Sequence, residues 1–410
     1  MRQSALFISL PIMCVLTLSM TLSMTLSNIA CAAVGTTPIS QSVGNALGLF
    51  VASGNAPILL QNIDANITAL GLVNQDAANR ELYNLAPELN GALSQITQLS
   101  FIRGMHSINH RYDEFSMARL EQNHTAIWMQ VQGHWAKQKE QGEFAAYHAD
   151  SSGLKIGVER HFEQQNKIGI DISLASLSTD PIGFAISENN IHSYQLDLYT
   201  NYDFDLKSIY LESNLSTAYN QYHTRRHILS GGAQGDTKSS YHAWQWGARA
   251  ELGYMWGFTQ SDTIKIIPVA GLIYTRTNYD SYRETSANSL NLEVKLDNNN
   301  LVRSTLGVRS VYQGGVYSGH YGNVTVMPEA YVLWSHDFHR DALNAQARFI
   351  AGGPDFKLKG LKLDDNALEA GFNITLYNGH GFNYSSNYHY EYRRDYRAHS
   401  AWLRMRYEWT

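Results

Sequence analysis

From residue 125 to the end of the chain, apolar and polar side chains alternate with a period of two. Between Trp244 and Phe258 one set is Trp244, Trp246, Ala248, Ala250, Leu252, Tyr254, Trp256 and Phe258. The other is Gln245, Gly247, Arg249, Glu251, Gly253, Met255 and Gly257. Ile168, Ile170 and Ile172 alternate with Gly169 and Asp171 in the same way, and Leu154, Ile156 and Val158 with Lys155, Gly157 and Glu159. The chain closes on Leu403, Met405, Tyr407 and Trp409 set against Arg404, Arg406 and Glu408. This period marks strands with one apolar face. It suits two architectures: a soluble barrel with an apolar core, or a membrane barrel with lipid outside and a polar lumen.

The connections choose between them. Twelve strands are expected, at 125–140, 151–162, 167–180, 191–204, 207–228, 240–258, 263–284, 301–315, 323–338, 366–378, 381–394 and 398–409. Links after even strands are tight, as at Glu163 to Asn166 and Gly379-His380, with a looser one at 316–322. Links after odd strands are mostly longer and more polar: 141–150, 181–190, 229–239, 285–300 and 339–365, with 395–397 breaking the trend. The stretch 343–351 could form a further short strand in the longest loop. Short turns alternating with long loops over an even strand count is the outer-membrane barrel pattern.

Ahead of the strands the pattern changes. Residues 33–54 are small, polar and glycine-bearing and are expected as a flexible lead. Pro57 suits a first helical turn, Leu59, Ile63 and Ile67 recur at four-residue spacing, and Gly71 can end the helix. A second helical run starts near Asp76. A third follows Pro87, with Leu89, Ala92, Ile96 and Leu99 on one face, and continues more polar through Arg103, His106, His110 and Asp113 to about Arg119. Its apolar stripe is narrow, so it requires a partly polar surround.

Residues 1–32 have the form of a secretory signal. Arg2 opens it, an apolar stretch runs from Leu6 to Leu26, and Ala30-Cys31-Ala32 supplies small residues for cleavage. The alternatives are a retained membrane helix, or lipoprotein processing at Cys31, against which Asn28 stands where an aliphatic residue is wanted. Cys14 and Cys31 are the chain's two cysteines, so cleavage after Ala32 leaves no thiol or disulfide. Beyond residue 32 there is no run of about 18 apolar residues, which excludes a helical membrane protein. The formal net charge of -5 gives no basic footprint for nucleic acid. Aromatics are 11% of residues, with 25 Tyr and 8 Trp, and prolines number 8. That balance suits long strands with aromatic belts at the membrane interfaces.

Several short segments, in order, resemble the autotransporter β-domain, the translocator of type V secretion. They are Leu82-Tyr83-Asn84-Leu85-Ala86-Pro87-Glu88, Ile127-Trp128-Met129-Gln130, Ser151 to Glu159, Glu284, Leu333 to Phe338, and Phe356-Lys357-Leu358-Lys359-Gly360. The resemblance runs from about Leu82 to Trp409. It implies an outer-membrane barrel through which the preceding segment passes, with a linker helix left in the lumen. It implies as partners outer-membrane lipid and lipopolysaccharide, and the outer-membrane barrel-assembly machinery acting on the C-terminal strand that ends at Trp409. Two features depart from the family: Thr410 follows Trp409, and only about 90 mature residues, mostly helical, precede the barrel where a long passenger is usual.

Little in the chain points to site chemistry. His106, His110 and Glu114 fall four apart on a helix, a metal-ligand spacing, but the plainer reading is a hydrated helix face in a polar lumen. His336, Asp337 and His339 read as solvated groups at a strand end. Glu391, Arg393, Arg394, Asp395 and Arg397 crowd the last outer hairpin and could bind lipopolysaccharide or a host ligand; internal ion pairing is the plainer reading. No nucleophile elbow is found. No catalytic, cofactor-binding or metal-ligating residue is assigned, and no enzyme activity or cofactor is expected.

The expected fold is an all-β transmembrane barrel of about 12 antiparallel strands, preceded by a small α-helical region. The expected divisions are a signal peptide at 1–32, a short helical region at 33–86, a linker helix at 87–124 and the barrel at 125–410. Twelve strands leave a lumen of roughly 10 Å, about the width of one helix. The linker helix is expected to plug it, with its polar half among Lys155, Glu159, Asp171, Asp197, Arg249, Glu251 and Arg404. Its apolar half is expected to emerge below the barrel against the helices of 55–85. The expected function is translocation or display of a short N-terminal segment by a monomeric barrel in the outer membrane. The alternatives are an adhesion barrel working through its loops and a plugged porin-like channel.

Overall fold

The computed structural model describes residues 35–106, 124–162, 166–183, 187–204, 209–256, 264–312, 316–319, 322–377 and 381–409. Residues 1–32, expected as a signal segment, and the stretch 107–123, with His110 and Glu114, lie outside these residues.

Period-two alternation becomes a closed barrel. Its wall strands are β1 (Thr125–Gln138), β2 (Ala146–His161), β3 (Lys167–Ile182), β4 (Ser187–Asp203), β5 (Ile209–Ser230), β6 (Ala233–Tyr254) and β7 (Ile264–Tyr279). After β8 (Tyr282–Arg283) and β9 (Leu292–Leu296), the wall resumes with β10 (Asn299–Tyr312). The short β11 (Val316–Gly319) folds back on β12 (Gly322–Arg340), which is followed by β13 (Ala345–Phe349) and β14 (Phe356–Leu358). β15 (Asn366–Tyr377), β16 (Phe382–Arg393) and β17 (Tyr396–Trp409) complete the wall. Each wall strand pairs antiparallel with the next, and β1 pairs with β17 from Thr125↔Trp409 to Gln138↔Tyr396. Closure leaves no edge among the twelve described wall strands, so their backbone groups are satisfied without water.

The two faces divide as the alternation requires. Ile172, Leu252, Trp244 and Leu403 are exposed on the outside, at 58%, 49%, 57% and 61%. Asp171, Gln245, Arg249, Glu251 and Arg404 are buried inside. Apolar residues outside and charges inside are the inverse of a soluble barrel.

The ends differ from expectation in three places. First, residues 229–239 are not a loop. β5 and β6 each run for 22 residues and meet at Gly231-Gly232. Both glycines have positive φ, +57° and +78°, which a two-residue hairpin turn requires. Second, the loops after β7 and β12 carry structure. Their short strands form one sheet in the order β14-β13-β9-β8. β13 is the strand foreseen within 343–351. Third, residues 38–52 are not a flexible lead but a helix, α1 (Pro38–Ala52). The Glu143 carboxylate accepts from the Ile39 amide at 3.0 Å, so an acidic side chain sits at the positive helix end.

α2 (Ile58–Val73) and α3 (Gln75–Asn84) follow as expected. The three helices and the loop sheet share one apolar core, which includes Val43, Leu47, Leu60, Ile63, Leu82, Val294, Phe349 and Phe356. They form a cap on the end of the barrel that carries the longer loops. The projecting β5–β6 hairpin holds it: Asn66 Nδ2 donates to Gly231 O at 2.7 Å, Ser230 Oγ to Glu81 O at 2.9 Å and Arg226 to Asn84 O at 2.8 Å. The expectation that these helices lie below the barrel is therefore corrected. Their anchor points, Gly231 and Glu143, both belong to the loop end.

Candidate functional site

The candidate site is the lumen with the helix inside it. Pro87 does not open this helix directly. Gly91 turns the chain at φ +87°, the Asn90 side chain caps the Ala92 amide at 2.9 Å, and α4 runs Ala92–His106. Every residue from Ala92 to Met105 except Ser94 is buried. A helix with so narrow an apolar stripe is stable there because the wall supplies polar partners to its polar side chains and an apolar seat to the rest.

Those partners form three tiers. Near the loop end, Arg340 donates to Gln98 Oε1 at 2.8 Å, Tyr222 to Thr97 Oγ1 at 3.1 Å, and Tyr147 OH bonds Gln95. In the middle, Phe101, Ile102 and Met105 fill a small apolar pocket against Ala218, Ile273 and Leu301. On the other side of the helix, Arg103 Nη2 contacts Glu369 at 3.1 Å and Glu391 at 2.8 Å. These carboxylates belong to a larger network. Arg303 and Arg393 bond Asp337 at 2.7 and 2.9 Å, and Arg393 bonds Glu391 at 2.7 Å. Lower still, Lys155 Nζ bridges Asp171 and Asp197 at 3.0 Å each and donates to Gly104 O at 3.0 Å. A cation thus meets a backbone carbonyl in the last described turn of the helix.

Two readings of the sequence are corrected here. Glu391 and Arg393 lie on the β16–β17 hairpin, where Arg393 pairs with Tyr396 beside the tip, but they are not solvated: their side chains turn inward and ion-pair in the lumen network, while Arg394 is exposed at the tip. Asp337 is likewise buried between Arg303, Arg340 and Arg393 and is not a solvated end group. Alternation places all three facing inward, but only the structure shows that they form one network and that Glu391 joins it to Arg103 of α4. The lumen residues Lys155, Glu159, Asp171, Asp197, Arg249, Glu251 and Arg404 are inside as expected. Lys155 touches the helix directly. Arg404 instead packs its guanidinium over Trp128, 4.5 Å from the ring centroid. Glu369, His389 and Glu391 could approach one metal ion, yet arginines already neutralise the two carboxylates. His106 turns its Nδ1 to Ile102 O at 2.9 Å within its own helix.

Above α4, Glu88 links the cap to the lumen. Its carboxylate is buried, and burial pushes it up to about 7 against the opposing influence of the Ser187 hydroxyl and Asn90 amide.

A closed 12-strand barrel with an apolar exterior, a charged interior and a helix in its bore defines an outer-membrane translocator-type barrel. Residues 127–389 match the autotransporter β-domain family, and the chain belongs to that family. The translocator domain of the autotransporter NalP from Neisseria meningitidis has the same fold, with a TM-score of 0.57 at 15% identity, over 77% of this chain and 96% of that one. The β-domain of the Bordetella autotransporter BrkA is 19% identical, with a TM-score of 0.49, over 69% of this chain and 98% of that one. "Outer membrane protein A" of Rickettsia conorii is 23% identical over 265 residues, 62% of this chain. The match spans only 13% of that relative's length. The protein is an outer-membrane autotransporter barrel.

Proposed function

We propose that the barrel carries its own N-terminal segment to the cell surface and holds it there as the folded cap. The observation that supports this is the path of the chain. α1 to α3 sit at the loop end, α4 lies within the lumen, and β1 begins at the opposite end, where His161 donates to His124 O at 2.8 Å. By the barrel rule the loop end faces outward and the turn end faces the periplasm. A segment synthesised before the barrel must then pass through it to reach the cap position. On this reading residues 1–32 are a cleaved export signal, residues 35–91 are displayed, and residues 92–106 stay behind as the plug. The assembly machinery acts on the strand ending at Trp409. No catalytic step is assigned.

A graft tests the transport step. A short epitope inserted between Val34 and Gly35 should be detected by antibody on intact cells. Detection only after the outer membrane is permeabilised would refute transport of the N-terminal segment.

A further inference from the structure

The outer wall carries one feature that neither transport nor display requires. Across β16, β17, β1 and β2 the outward side chains fall in level rows, about 7 Å apart along the strands. The row nearest the loop end is Tyr392, Arg397, Lys137 and His148. Lys137 and Arg397 stand directly opposite one another, a like-charge pair that repels. Neither makes an ion pair among the described residues; Arg397 lies 6.0 Å over the Tyr392 ring. Asp150, the acid one row lower on β2, takes a hydrogen bond from Ser178 at 3.0 Å.

Two rows below the cations the wall sinks. Ala401 and Ser386 form the floor of an apolar groove, with Phe372, Tyr388 and the Trp135 ring, which lies over Gly133, as its walls. The groove lies on the lipid-facing surface, where Trp135 is 49% and Phe372 48% exposed. Small residues in an otherwise bulky apolar wall leave room for an elongated hydrocarbon. Two opposed cations above it leave room for an anion.

We propose that this face is a site for a phosphorylated glycolipid of the outer leaflet, the lipopolysaccharide class. Its phosphate bridges Lys137 and Arg397, relieving their repulsion through charge-assisted hydrogen bonds. One acyl chain lies in the groove over Ala401 and Ser386, against the Trp135 ring. The separation of about 14 Å between the cations and the groove floor suits a headgroup at the interface and a chain below it. The site needs the outer-membrane location of the family but not the transport of the N-terminal segment.

The test uses the full-length protein folded in detergent. It is exposed to lipopolysaccharide or to phosphatidylglycerol, washed free of loose lipid, and assayed for retained 3-hydroxy fatty acid or glycerol headgroup by mass spectrometry. The wild type should retain lipopolysaccharide stoichiometrically. The double variant K137Q/R397Q and the groove-filling variant Ala401→Trp should each retain about fivefold less or lower still. Leu272→Trp, on another part of the wall, should retain as much as the wild type. A heat-dependent gel shift verifies that each variant is a folded barrel. Equal retention by all four proteins, preference for phosphatidylglycerol, or no retention by the wild type would each overturn the proposal.

Discussion

Arg103 is the side chain that most directly ties the helix to the wall. It is buried, and its guanidinium meets two carboxylates from two strands. Removing one member of a buried ion pair leaves the other charged and dry, at a cost of about 3–5 kcal/mol. Arg303 and Arg393 remain to share Glu391. The lower end, about 3 kcal/mol, is therefore expected for Arg103→Ala. Hydrogen exchange should show faster opening of the α4 amides with the barrel strands unchanged. Glu88 gives a second residue-scale expectation. An ordinary glutamate ionises near 4.5, whereas this one, buried, holds its proton up to about 7. Between those values the folded cap binds more protons than the unfolded one, so its stability falls as pH rises. It is highest below about 4.5 and lowest above about 7, a span on the order of 3 kcal/mol. Protease resistance of residues 35–91 should follow that curve, and Glu88→Gln should flatten it. At this scale the sequence shows which residues point inward but not which of them meet. Arg103 stands 266 positions from Glu369. Only barrel closure and the position of α4 along the bore bring them into contact.

At the scale of elements, the strands were largely legible. Alternation of Trp244 through Tyr254 is strict enough that a slip of one residue would turn Arg249 to lipid and Leu252 to the lumen. Leu252→Arg in the lipid-facing wall should lower barrel stability by roughly 2–4 kcal/mol, read as a lower urea midpoint in refolding from lipid vesicles. The elements outside the membrane were less legible, for physical reasons. α1 contains Gly44, Gly48, two serines and no charged residue, so its composition resembles a loop. Tertiary burial of Val43, Leu47 and Phe50 against the loop sheet makes it a helix. β5 and β6 carry Thr224, Arg225, Lys238 and Ser239 beyond the membrane, where polar residues can face water on both sides. Their alternation of apolar with polar stops there although the strands continue. Apart from β13, which was foreseen, the long loops hide strands of two to five residues, too short for any period to show.

For the molecule as a whole, the cap, the lumen helix and the barrel form one continuous path. The sequence reading had each part and reversed the direction of the first two. It placed the polar half of the helix in the bore and its apolar half below. The structure seats the apolar half, Ala92 to Met105, in the bore, with its apolar residues in a pocket of the wall and the cap at the loop end; the polar stretch 107–119 lies outside the described residues. The cause lies in the lumen, which is not uniformly polar: Ala218, Ile273 and Leu301 give Phe101 and Ile102 an apolar seat. The central claim is that residues N-terminal to the barrel lie on the loop side of the membrane. Val73, 88% exposed at the end of α2, reports it directly. A Val73→Cys variant, in a chain whose two native cysteines, Cys14 and Cys31, lie within residues 1–32, is treated on intact cells with a membrane-impermeant maleimide. The account predicts labelling on intact cells equal to that after permeabilisation. Labelling that appears only once the outer membrane is opened would contradict it.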